Sequence, residues 1–118
     1  ATMSGYSGSS LDNEDWLISP EIDLTNISSA AITFDHAINK GLVANVQTDH
    51  TVLITTNNGV DWTPVTGITY PPGNVWTFFN AGEVVIDNYV GNKIKIAFRY
   101  KSSTSSAATW EIKNFKVY

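Results

Sequence analysis

Lys93-Ile94-Lys95-Ile96-Ala97-Phe98-Arg99-Tyr100-Lys101 alternates without a break, with Ile94, Ile96, Phe98 and Tyr100 on one parity and Lys93, Lys95, Ala97, Arg99 and Lys101 on the other. Successive side chains of a β-strand point to opposite faces, so this pattern predicts a strand with one face in a core and one in water. A sheet solvated on one side is typically antiparallel. Ala30 to Asn39 repeats the pattern, with Ile32, Phe34, His36 and Ile38 on one face and Thr33, Asp35 and Ala37 on the other.

Working outward, Val52 to Thr56 and Trp62 to Val65 flank Asn57-Asn58-Gly59, a strong hairpin signal because both Asn and Gly tolerate positive φ. Trp16 to Ser19, Val75 to Phe79 and Glu83 to Ile86 read as further strands, with turns at Pro71-Pro72-Gly73 and Tyr89-Val90-Gly91-Asn92. In the last segment, Thr109 to Tyr118, Trp110 and Ile112 share one parity while Phe115 and Val117 take the other. One extra residue near Lys113-Asn114 would keep both pairs on the core side, which predicts a β-bulge. Ser102 to Ala108 is low in complexity and reads as a loop. No dozen-residue stretch holds a helical apolar period. The expected fold is all-β, a two-sheet antiparallel β-sandwich of jelly-roll type.

The chain of 118 residues is one domain's worth, so residues 1–118 are expected to form a single module. It has no cysteine, which excludes disulfides, thiolate metal sites and cysteine nucleophiles. Seven Lys and Arg against eleven Asp and Glu give a net charge of -4, with no basic cluster to neutralise phosphates; this argues against a nucleic-acid partner. No apolar run approaches the ~18 residues of a membrane span, so direct membrane insertion is not expected.

Ser4-Gly5-Tyr6-Ser7-Gly8, Asn13-Glu14-Asp15-Trp16-Leu17-Ile18-Ser19-Pro20 with Ile22-Asp23-Leu24, Ile96-Ala97-Phe98-Arg99-Tyr100 and Ala108-Thr109-Trp110-Glu111-Ile112-Lys113-Asn114-Phe115-Lys116-Val117 are the blocks that carry a family resemblance. Together they resemble the choice-of-anchor J and cleaved-adhesin domains of secreted and surface proteins from Gram-negative bacteria. The resemblance implies a MAM-like jelly roll, an extracellular or cell-surface location, and a non-catalytic role in adhesion or recognition. Similar domains begin with a further N-terminal segment, so a strand is expected to be missing and a sheet edge left open to strand exchange or an edge-paired dimer. Where similar domains read Trp-Glu-Ile-Asp-Asn, position 113 here is Lys, which removes an acidic ligand.

Asp12, Asn13, Glu14 and Asp15 offer the oxygen ligands that calcium prefers, although consecutive residues cannot all face one ion. Asp15, Asp35 and Glu111 are the carboxylates expected to converge from distant strands if structural calcium is bound. Thr55-x-Asn57-x-Gly59-x-Asp61-Trp62 resembles a single Asp-box hairpin, whose polar side chains bond the loop backbone. His36 shares the parity of a core face and is expected inside with a hydrogen-bonded partner; His50, beside Asp49, is expected on the surface. No Gly-x-Ser-x-Gly elbow is present, and a small sandwich seldom offers the deep cleft that paired catalytic carboxylates need, so an enzyme is not expected.

Fourteen aromatics, four of them Trp, are the remaining resource. Trp16 and Trp110 belong to strand motifs and are expected in the core with Phe34 and Phe98. Tyr70, Trp76, Tyr89 and Trp62 flank turns and are the candidates for a sugar-stacking platform. The expected function is a non-catalytic recognition or adhesion module whose partner is a glycan or a host or cell-surface protein. The alternative is a carbohydrate-binding module appended to a polysaccharide-processing enzyme.

Overall fold

A computed structural model describes residues 1–118. Ten strands run β1 Thr2–Ser4, β2 Asn13–Ile18, β3 Ile22–Asp23, β4 Ala31–Asn39, β5 His50–Thr55, β6 Thr63–Pro64, β7 Val75–Asn80, β8 Val84–Val85, β9 Lys93–Ser102 and β10 Thr109–Val117. They form two five-stranded antiparallel sheets. The first has the order β1-β10-β4-β7, with β8 also on β4; the second has the order β2-β9-β5-β6, with β3 also on β9. Taking β2 with β3 and β7 with β8 as interrupted single strands, the eight positions follow the jelly-roll order, in which the first strand lies beside the last and successive strands swap sheets except at the β5–β6 hairpin. A strand, β1, occupies the edge beside β10, with Thr2, Met3 and Ser4 opposite Glu111, Trp110 and Thr109.

The alternation in β9 does what it predicts. Ile94, Ile96, Phe98 and Tyr100 are buried against the other sheet, and β5 matches them in register with Ile54, Val52 and His50. From the first sheet, β4 supplies Ile32, Phe34, His36 and Ile38, all fully buried, and β10 supplies Trp110 and Ile112. Phe34 meets Phe98 edge-on at 5.1 Å, and Phe98 meets Trp110 at 5.8 Å. Trp16 does not join them. It lies opposite Arg99 in register, on the outer face of the second sheet, and is 36% exposed. Its parity is that of Glu14 and Ile18, not that of Leu17, which faces inward beside Phe98.

In β10 the register shifts between Lys113 and Lys116, and Asn114 has φ 55°. This is the expected bulge: one residue in the left-handed region restores the core side to Phe115 and Val117, both packed against the core. His50 is a correction. It opens β5 on the inward parity and is 1% exposed, packed against Trp110 at 5.0 Å and Tyr100 at 5.6 Å. The Ser102–Ala108 connection also ends inside, with Ser106, Ala107 and Ala108 buried.

Candidate functional site

The predicted metal ligands do not come together. Asp35 and Glu111 alternate with buried Phe34, His36, Trp110 and Ile112, so both project from the outer face of the first sheet. Asp15 sits in the second sheet, opposite Tyr100 and on its face, where it accepts the Asn13 amide at 2.7 Å. The Asp35 carboxylate is taken up by amides, from Asn114 at 2.8 Å and Asn80 at 2.9 Å, and these bonds hold its pKa below the ordinary carboxylate value. Lys113 lies directly across from Asp35. Nowhere in the chain do three or more His, Asp or Glu side chains gather as a metal would require.

The four turn-flanking aromatics are likewise dispersed. Tyr70 packs against the core, its hydroxyl donating to the His50 carbonyl and its pKa pushed up to about 12 by burial. Tyr89 also packs against the core. Trp76 stands on β7 of the first sheet, 48% exposed over a shallow pocket with Asn39, Lys40 and Thr109. Trp62 immediately precedes β6 of the second sheet, so the two indoles stand at different sheets.

Trp62 has a different partner. The Asp-box hairpin forms as its spacing suggests: Thr55 Oγ1 accepts the Gly59 N–H at 2.9 Å, Asn57 Oδ1 accepts the Asp61 N–H at 2.9 Å, and the Asn57 amide donates to Asp61 at 2.8 Å. Gly59, at φ 90°, lies against the indole of Trp62. This fixes the start of β6 and turns Trp62 across the sheet, where its ring centroid lies 5.4 Å from that of Trp16 at an interplanar angle of 57°. On this outer face Leu53 and Ala97 lie opposite each other in register and are buried.

Polar groups frame the pair. The Trp16 indole N–H donates to Glu14 Oε2 at 2.8 Å, and Glu14 also faces Lys101 at 3.8 Å. The Arg99 guanidinium lies 5.7 Å from the Trp16 ring centroid, within cation–π range. Its one hydrogen bond is a long one to Thr51 Oγ1, 3.4 Å, and its Nε is buried without a partner. The site is therefore a shallow, tilted aromatic pair beside an underused guanidinium. Of its members only Trp62 stood among the predicted ligand residues; Trp16 and Arg99 did not. Local spacing carried no signal for them, because only the register sets Glu14, Trp16 and Ile18 against the wet parity of β9.

A second opening lies at the sheet edge. There inward-facing Leu17 is 40% exposed, in an apolar groove with Phe98, Ile112 and Phe115.

No protein-family model matches the sequence, and no curated protein is significantly similar to it.

Proposed function

We propose that this domain is a non-catalytic recognition module of a secreted or surface-anchored bacterial protein, and that its ligand is a saccharide held against the outer face of the second sheet. The Trp16–Trp62 pair carries the reading. Pyranose rings present C–H faces that stack on indoles, and two indoles 5.4 Å apart and tilted to each other span about one sugar ring and its neighbour. Large apolar rings left partly exposed on a sheet, oriented by the hydrogen bond to Glu14 and by the hairpin, are preorganised for contact. The pockets are shallow and sit away from any pair of facing carboxylates, which suits binding better than hydrolysis.

The test is affinity electrophoresis of the domain through gels containing plant, microbial and host polysaccharides, beside Trp16→Ala, Trp62→Ala and Trp76→Ala. Retardation of the wild type, lost in the first two variants and kept in the third, is the expected result. No retardation by any polysaccharide would refute the saccharide reading.

A second reading, protein adhesion by strand addition, rests on the groove beside Leu17. Tyr118 exchanges both backbone bonds with Ala31. Antiparallel pairs alternate between bonded and non-bonded, so Val117 turns its N–H and C=O away from β4. An edge-paired dimer or an added strand would use them, and concentration-dependent sedimentation is the measurement that separates this reading from a monomeric glycan binder.

A further inference from the structure

Within the saccharide reading, and resting on it, we infer that the ligand is acidic: a glycan carrying uronic-acid carboxylates, one of which pairs with Arg99 while the sugar faces meet Trp16 and Trp62.

The charge distribution carries this. The chain is acidic as a whole, yet four of its seven Lys and Arg, namely Lys93, Lys95, Arg99 and Lys101, stand on the outward parity of one strand, β9. That strand lies inside the second sheet, between β2 and β5, so its charges run beneath the aromatic pair and not along an edge. The two ends of the row are answered within the domain. Lys101 faces Glu14 at 3.8 Å, and Lys93 lies in register with Asp23. The middle is not: Lys95 and Arg99 lie neither in register with a carboxylate nor within 4 Å of one, Lys95 being opposite Thr55 and Arg99 opposite Trp16 and Thr51.

Arg99 is the better placed of the two. A guanidinium carries five donors in a planar fork that matches a carboxylate two-to-two, and here its one bond is the long contact to Thr51. Trp16 beside it limits the directions from which water or a ligand can reach it, which favours a planar acid lying in the same layer as the sugar ring. In a uronic acid the carboxylate is attached directly to the pyranose, so ring stacking on indole and ion pairing with Arg99 are satisfied by one residue of the polymer. A neutral sugar would satisfy only the first.

The experiment is titration calorimetry of the domain with oligogalacturonate, with the same oligosaccharide after reduction of its carboxyls, and with a sulfated oligosaccharide, each at low and moderate salt. The uronate is expected to bind at least tenfold more tightly than its carboxyl-reduced form, and to weaken as salt rises. Arg99→Gln and Lys95→Gln should each weaken uronate binding, with Arg99→Lys recovering part of the loss, while thermal melts show the variants folded. Should Arg99→Gln fail to fold, Lys95→Gln and the carboxyl-reduced ligand decide alone. Equal binding of the acidic and reduced forms would overturn the inference and leave the saccharide reading standing. Tighter binding of the sulfated sugar, or uronate binding indifferent to both substitutions, would also overturn it. Binding of none of the three, together with an empty polysaccharide panel, would remove both.

Discussion

The indole N–H of Trp110 donates to Nδ1 of His36 across 3.2 Å, in the middle of the core. An indole nitrogen can only donate, so His36 Nδ1 must accept and its proton sits on Nε2, which donates to the Thr69 carbonyl at 2.7 Å. One hydrogen bond thus fixes the tautomer of a fully buried imidazole and ties β4 to β10 and to the chain before Tyr70. Replacing Trp110 by Phe keeps most of the ring but leaves Nδ1 unsatisfied. The cost is expected to be about 1 to 3 kcal/mol beyond the lost volume, read from urea unfolding midpoints.

Both buried histidines make the fold sensitive to acid. Desolvation lowers the His36 pKa, and it pushes that of His50 down from 6.5 to about 4. His50 holds its Nδ1 proton against the Val46 carbonyl at 2.7 Å and leaves Nε2 buried and unpartnered. In unfolded chains the imidazoles take up protons near pH 6.5, before the folded ones do. The unfolded state therefore binds more protons between about pH 6.5 and 4, and stability falls as pH is lowered through that window. His50 alone contributes a loss of about 3 kcal/mol by the bottom of it. Asp49, whose pKa burial raises, works in the opposite sense. The difference between wild type and His50→Asn, whose amide can replace the Nδ1 donor, isolates the histidine: the gap between denaturant midpoints at pH 7.5 and 4.5 should narrow in the variant, the remainder belonging to His36 and Asp49.

The two strand-motif tryptophans should separate by stability. Trp110 is fully buried, so Trp110→Ala is expected to cost about 3 to 5 kcal/mol. Trp16 is 36% exposed on an outer face, so Trp16→Ala should cost less than half as much. Equal losses in chemical denaturation would mean that Trp16 is a core residue after all.

At the bulge, Asn114 occupies φ 55° and its amide holds Asp35. Val there combines a β-branched side chain with left-handed backbone, and Asn114→Val is expected to lose about 1 to 3 kcal/mol. Deleting Asn114 is a harsher change, because it turns Phe115 and Val117 to the solvent side; the truncated chain should show increased dye binding to exposed apolar surface.

The strands were legible because alternation is a local property: β4, β9 and β10, bulge included, follow from which positions are apolar. What lay across the sheet was not legible. Whether Trp16 faces in or out depends on its partner in β9, and a tryptophan in a strand motif reads as core until the register places it over Arg99. Register likewise put Asp15 in one sheet and Asp35 and Glu111 in the other, which no spacing along the chain reveals. His50 looked polar beside Asp49, but the inward parity of Val52 and Ile54 extends one step further back to it. The hairpin was visible in its polar spacing; the contact it creates between Trp62 and Trp16 was not, since that depends on where β2 lies.

The proposed recognition face is tested most directly by the four indole N–H signals in a proton–nitrogen correlation spectrum, assigned by single Trp→Phe variants. On titration with oligogalacturonate and, separately, with a neutral cello-oligosaccharide, the Trp16 and Trp62 signals should shift with a common binding curve for at least one ligand, while those of Trp76 and Trp110 stay in place. Shifts confined to Trp76, or four signals unmoved by either sugar at millimolar concentration, would contradict the account.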